Sequence, residues 1–100
     1  MGDQSVGDQV TGVGVRRIEV RYFAAAVDAA GREKESVELA AQADLGAVKA
    51  ALIERHGPDM ERVLTVAAFL VGSGSDAELT RDLTRHAGDR VDVLPPFAGG

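Results

Sequence analysis

Residues 44–58, DLGAVKAALIERHGP, carry the clearest helical signal in the chain, and stretches that alternate apolar with polar residues lie around it. Leu45, Val48 and Leu52 recur at helical spacing with Ala51 beside them, while Lys49 and Glu54 fall outside the stripe. Asp44 is a good N-cap, Gly57 fits the position just past the last turn, and Pro58 stops the helix. A helix with one apolar stripe must bury it, and half-buried strands are the natural partner. In RRIEVRY, Ile18, Val20 and Tyr22 alternate with Arg17, Glu19 and Arg21. ESVELA repeats the pattern with Val37 and Leu39, which predicts a second strand antiparallel to the first. Between them, FAAAVDAAGRE loses the alternation and reads as a short helical turn or wide loop ending near Gly31.

Beyond the helix, TVAAFLVG is a continuous apolar run bounded by turn residues and reads as a buried strand. GSGSD is a turn. It is not a phosphate-cradling loop, because AELT supplies neither the lysine nor the hydroxyl that such a loop needs next. AELTRDLTRHAGD is polar, with Leu79 and Leu83 as candidate anchors. GDRVDVL makes a turn at Gly88 and Asp89 and then a strand with Val91 and Val93 inward, which Pro95 and Pro96 end. The order of elements predicts an α+β roll: a mixed sheet packed on one main helix, with the last strand inside the sheet beside the first. Residues 1–14 are rich in Gly, Asp, Gln and Ser and read as a disordered leader. The domain then spans 15–94, and 95–100 form an extended tail.

Composition narrows the function. A net charge of −5 disfavours nucleic acid and anionic membrane surfaces, which select basic patches. The absence of cysteine rules out disulfides, thiolate metal sites and a cysteine nucleophile, and fits a cytoplasmic protein. MGDQSVGDQVTGVG has neither the basic start nor the apolar run of a signal peptide, and its GVG precedes a strand where a dinucleotide loop would follow one. His56, at the end of the helix, reads as a helix C-terminal residue rather than a ligand or general base.

The chemistry concentrates in the tail, PPFAGG. Two prolines force the chain off the sheet in extended form, and the six residues reach at most about 20 Å. Gly99 and Gly100 lack a Cβ and can enter a slot too narrow for any other residue. The reactive group at the tip is the α-carboxylate of Gly100. It is inert until adenylation by ATP converts it to a mixed anhydride, which a sulfur or nitrogen nucleophile can attack. Such an anhydride survives only in a channel that excludes water. At ordinary glycine frequency, about 7%, a terminal Gly-Gly arises by chance in roughly one chain in two hundred.

GDRVDVLPPFAGG resembles the C-terminus of the MoaD/ThiS family of ubiquitin-like sulfur carriers: a Gly-Asp turn, a Val-rich strand, a proline pair and Gly-Gly. VRYFAAAVDAAGREKESVEL resembles that family's N-terminal hairpin, and LGAVKAALIERHG its helix, so the resemblance covers about residues 15–100. It implies the β-grasp (ubiquitin-like) fold, whose element order is the one read above. The proline pair is most similar to the MoaD branch, the small subunits of molybdopterin synthase. One departure is that Gly72 and Ser73 stand where the family often has asparagine. The implied cycle needs no cofactor held by this chain and no metal site. An E1-like (MoeB-like) adenylyltransferase uses ATP and magnesium to adenylate Gly100, and a sulfur donor protein converts the product to a thiocarboxylate. The tail then enters the large, MoaE-like synthase subunit in molybdenum cofactor biosynthesis. On its own the chain is a co-substrate and subunit, not an enzyme.

A partner surface follows from strand parity. Phe23 comes after Tyr22 and should face the other way, and Leu94 breaks the inward pattern of Val91 and Val93. With Pro95, Pro96, Phe97 and Ala98 they form a candidate docking patch at the tail exit, and Gly99 threads the channel. Two alternatives stay open: a sulfur carrier for cysteine or thiazole (thiamine) biosynthesis, and a ubiquitin-like protein modifier.

Overall fold

Alternation and helix periodicity sort the chain into β1 (Val15–Tyr22), α1 (Ala25–Ala30), β2 (Lys34–Ala40), α2 (Leu45–His56), α3 (Pro58–Val66), β3 (Ala68–Val71), β4 (Glu78–Thr80) and β5 (Arg90–Leu94). A one-turn 3-10 helix at Gly74–Asp76 joins β3 to β4. The structure is a computed structural model, and it describes residues 14–72 and 74–96. The expected leader, apart from Gly14, and the tail residues Phe97, Ala98, Gly99 and Gly100 therefore lie outside the described residues.

The sheet runs β2-β1-β5-β3-β4. β2 pairs antiparallel with β1, with Ile18 opposite Val37. β5 pairs parallel with β1, with Tyr22 opposite Val93, and antiparallel with β3, with Phe69 opposite Val93. The first and last strands are thus neighbours at the centre, as the sequence predicts. One face of the sheet supplies Ile18, Val20, Tyr22, Val37, Phe69, Val71, Val91 and Val93 to the core, where they join Leu45, Val48 and Leu52 of α2. Asp44 caps α2 as expected, its side chain accepting from the Ala47 amide at 2.9 Å.

Three local readings change. Pro58 ends α2 but also starts α3, because a proline at the first helical position loses no hydrogen bond there. Gly57, at φ 84°, makes the break between the two helices. Met60 and Leu64 of α3 then enter the core. The strand read into TVAAFLVG begins only at Ala68, since Thr65 and Val66 complete α3. Leu79 is no anchor: it is 61% exposed on the edge strand β4, whereas Leu83 packs against the core as expected. No helix among the described residues is long and apolar enough to cross a membrane.

Candidate functional site

Because β5 lies parallel to β1, the chain leaves the sheet at the end where β1 gives way to α1. Leu94, on the face opposite the buried Val93, is half-buried and pairs with Ala68. Pro95 is buried, which ties the exit point to the fold, and Pro96 is exposed. Neither proline can donate to a ladder, so the sheet stops there. Phe23, one residue beyond the buried Tyr22, is half-buried, and the Arg21 guanidinium stacks 5.8 Å from its ring centre. Phe23 and Leu94 both lie outside the core cluster. Leu70 on β3 and Leu79 on β4 sit opposite each other on the same outer face. The outer face thus presents a broken apolar surface that runs toward the tail exit.

Ala24 makes the corner between β1 and α1 with φ 54° and ψ −131°, a conformation ordinarily left to glycine. A strained corner of this kind costs on the order of 1–3 kcal/mol and persists only where its surroundings hold it. Here the amides of Ala26 and Val27 donate to the carbonyls of Phe23 and Ala24, both at 3.0 Å. A groove of about 520 Å³ beside this corner is lined by Arg21, Phe23, Val27, Glu33 and Lys34, among others.

The inner side of the same region holds a polar cluster that the sequence analysis did not foresee. Glu35 shares parity with Val37 and Leu39, so β2 turns its carboxylate toward the core, where the side chain is 3% exposed. Parity was the signal; the charge argued against it. The Tyr22 hydroxyl donates to Glu35, Arg55 Nη1 donates to Oε1 at 2.8 Å, and His56 Nε2 lies 2.5 Å from Oε2. Arg32 Nη1 stands 3.9 Å from Oε1. Arg55 also donates to the Ser36 carbonyl, so the cluster fastens the end of α2 to β2. His56 is therefore a structural partner of a carboxylate. Burial, together with the negative Glu35 beside it, pushes the Tyr22 hydroxyl up, and it stays a donor.

Burial pushes the Glu35 carboxyl up as well, but the hydrogen bonds from Tyr22, His56 and Arg55 outweigh it and hold it at about 2 against an ordinary 4.5. Its folded pKa is depressed, so its contribution to stability is whole above pH 4.5 and is lost as pH falls toward about 2. The expected loss is about 3 kcal/mol, with one pKa unit equal to about 1.4 kcal/mol. In denaturant melts across pH 2–6 Glu35→Gln should flatten this acid limb; an unchanged limb would show that other carboxylates set it.

Comparison with known proteins finds the same fold elsewhere. The crystal structure of SAMP1 from Haloferax volcanii superimposes with a TM-score of 0.65 at 26% identity, covering 84% of this chain and 99% of that one. A Pyrococcus furiosus protein named molybdopterin converting factor, subunit 1, superimposes at 0.56 and 24% identity, covering 81% and 98%. The C-terminal ubiquitin-like domain of mouse tubulin-specific chaperone e shares the fold at 0.54 and 11% identity, covering 94% and 100%. The roll is thus a β-grasp, ubiquitin-like fold. Among curated proteins, none matches. The model of the ThiS family matches residues 20–100, from the end of β1 through α1, α2, α3 and β5 to Gly100. That span takes in the fold and the Gly-Gly motif together, and the chain belongs to the ThiS family.

Proposed function

We propose that this chain is the sulfur-carrying small subunit of a molybdopterin synthase, with the Gly100 carboxylate as its working group. The observation that carries the reading is the family match running through Gly100, behind a strand that leaves the centre of the sheet at a buried proline. Adenylation joins a carboxylate oxygen to the α-phosphorus of ATP and releases pyrophosphate, with magnesium held by the activating enzyme. A persulfide sulfur on a donor protein then attacks the carbonyl carbon and AMP leaves, giving an acyl disulfide. A thiol reductant cleaves its S–S bond, is itself oxidised to a disulfide, and leaves the thiocarboxylate. The large subunit receives the tail and takes the sulfur. The carrier is cytoplasmic in this reading, where ATP and the activating enzyme are found. Its own contribution is to carry a narrow tip, Gly99 and Gly100, a set number of residues beyond a docking face that includes Phe23 and Leu94, with Pro96, Phe97 and Ala98 in the tail sequence.

Modification of other proteins is the second reading, favoured by the likeness to SAMP1, a protein named small archaeal modifier protein 1. Both readings share the activation step and part at the acceptor. Mass spectrometry of the protein from its native cells separates them. A carrier is heavier than the sequence by the difference between sulfur and oxygen, and copurifies with a larger subunit. A modifier is recovered joined to lysines of other proteins. Unmodified protein alone, from cells making the cofactor, would sink both.

Docking separates from folding at Leu94. Leu94→Asp is expected to weaken binding to the large synthase subunit by about 2 kcal/mol or more, the loss typical of a central interface anchor. Its melting transition should stay close to wild type. Unfolding of the isolated variant would instead place Leu94 in the core.

A further inference from the structure

Lysine is scarce in this chain. Of its 11 lysines and arginines, the lysines are Lys34 and Lys49. The difference is chemical. Arginine stays protonated and does not attack an acyl carbon, whereas a lysine amine that sheds its proton is a nucleophile. On a chain whose own end becomes an acyl adenylate, each lysine within reach competes with the sulfur donor for that carbon.

The fold places the two lysines differently. Lys34 opens β2 and alternates with the buried Glu35, so it is exposed on the outer face. It lies opposite Arg21 of β1, and Arg21 lies opposite Asp92 of β5, so the three form one row across the sheet. Lys34 also lines the groove beside Phe23 and Ala24, at the end where the chain leaves β5. Glu19 and Glu33 balance Arg21 and Lys34 in that groove, so capture there rests on reach and not on attraction of charge. Lys49 is on α2, across the sheet from Lys34 and next to the core residue Val48. Two strand spacings of about 4.8 Å, and four residues of about 3.3 Å along β5 and its exit, separate the backbones of Lys34 and Pro96 by about 16 Å. The four residues from Pro96 to Gly100 span up to about 14 Å. The four-carbon stem of lysine covers the remainder.

We propose that Lys34 is an internal acceptor for the activated tail, so that a carrier adenylated without a sulfur donor closes on itself. An adenylate that leaves the enzyme unspent meets water and Lys34. Water returns the carboxylate. Lys34 Nζ, once deprotonated, attacks the Gly100 carbonyl carbon instead; the bond from that carbon to the AMP oxygen breaks, AMP leaves with the electron pair, and the amine's remaining surplus proton goes to water. An isopeptide bond joins Gly100 to Lys34, and the product is lighter than the chain by one water. A nucleophile held by a short linker competes at an effective concentration of about millimolar, which favours Lys34 over amines on other copies at micromolar protein. The ring consumes the carboxylate that would carry sulfur and withdraws the tip from use. The proposal rests on the carrier reading above, because it needs adenylation at Gly100.

The test incubates the full chain with the cognate adenylating enzyme, ATP and magnesium, with no sulfur donor. ATP–pyrophosphate exchange is followed, and the products are weighed and peptide-mapped by mass spectrometry. The expected product is lighter by one water, carries a Gly100–Lys34 linkage, and forms in a yield independent of carrier concentration. Lys34→Arg should lose at least about tenfold of it while keeping wild-type exchange, and Lys49→Arg should keep both. Adding the sulfur donor should suppress the ring. Linkage to Lys49, to the N-terminal amine or to a second copy, or normal exchange with no ring, would overturn the proposal and leave the carrier reading standing. Absence of exchange with the wild-type chain would end both.

Discussion

Without Gly100, ATP–pyrophosphate exchange by the cognate adenylating enzyme should fall by at least about a hundredfold, while the thermal transition of the protein stays in place. The deletion moves the reactive carbon back by one residue, about 3.5 Å of extended chain. Misplacement of a reacting group by about 1 Å can already cost a hundredfold in rate. Pro95 is buried and fixes where the tail begins, so the remaining residues cannot slide forward to make up the difference. Adding a residue after Gly100 should fail as well, because the activated carbon then overshoots. Neither change touches the core, whose residues run from Ile18 to Val93. Paired melts therefore separate lost chemistry from lost structure, and normal exchange in the deletion would end the carrier reading.

The second large effect is on folding. Leu52→Ala should cost about 2–5 kcal/mol, the range for removing a fully buried leucine side chain. Leu45, Val48 and Leu52 are all 0% exposed and form the stripe of α2 that lies in the core with the strand residues. With domain stabilities of roughly 5–15 kcal/mol, such a loss takes a large share of the total. For a domain near this size, each kcal/mol lowers the melting temperature by about 4–8 °C. Glu54→Ala, on the exposed side of the same helix, is the control and should stay within about 0.5 kcal/mol. Denaturant melts in which the two variants match would overturn the assignment of the helix face.

Much of this architecture can be read along the chain because it depends on short periods. Ile18, Val20 and Tyr22 alternate, Leu45, Val48 and Leu52 recur, and each set lies in the core. Asp44 caps because it stands one residue before the first turn of α2. The readings failed where one local signal serves two structures. Pro58 is equally a stop for α2 and a start for α3, and the apolar run at 65–72 carries no period to divide helix from strand. Leu79 alternates into the face that the core does not use.

The charged residues divide along the same line. The sequence by itself determined the secondary-structure periods, the central place of the last strand and the Gly-Gly motif behind a proline pair. It could not say that Glu35 is held inside by Tyr22, Arg55 and His56, nor that Asp92 is covered by Arg21 and Arg90. Whether a carboxylate tolerates burial depends on the partners within a few ångströms of it, and those partners come from other elements. Glu35 and His56 are 21 residues apart in the chain, and Tyr22 meets Val93 only because β5 returns to lie beside β1. Periodicity is a property of neighbours along the chain, whereas the stability of a buried charge and the shape of a docking face are set by neighbours in space, which only the tertiary structure decided.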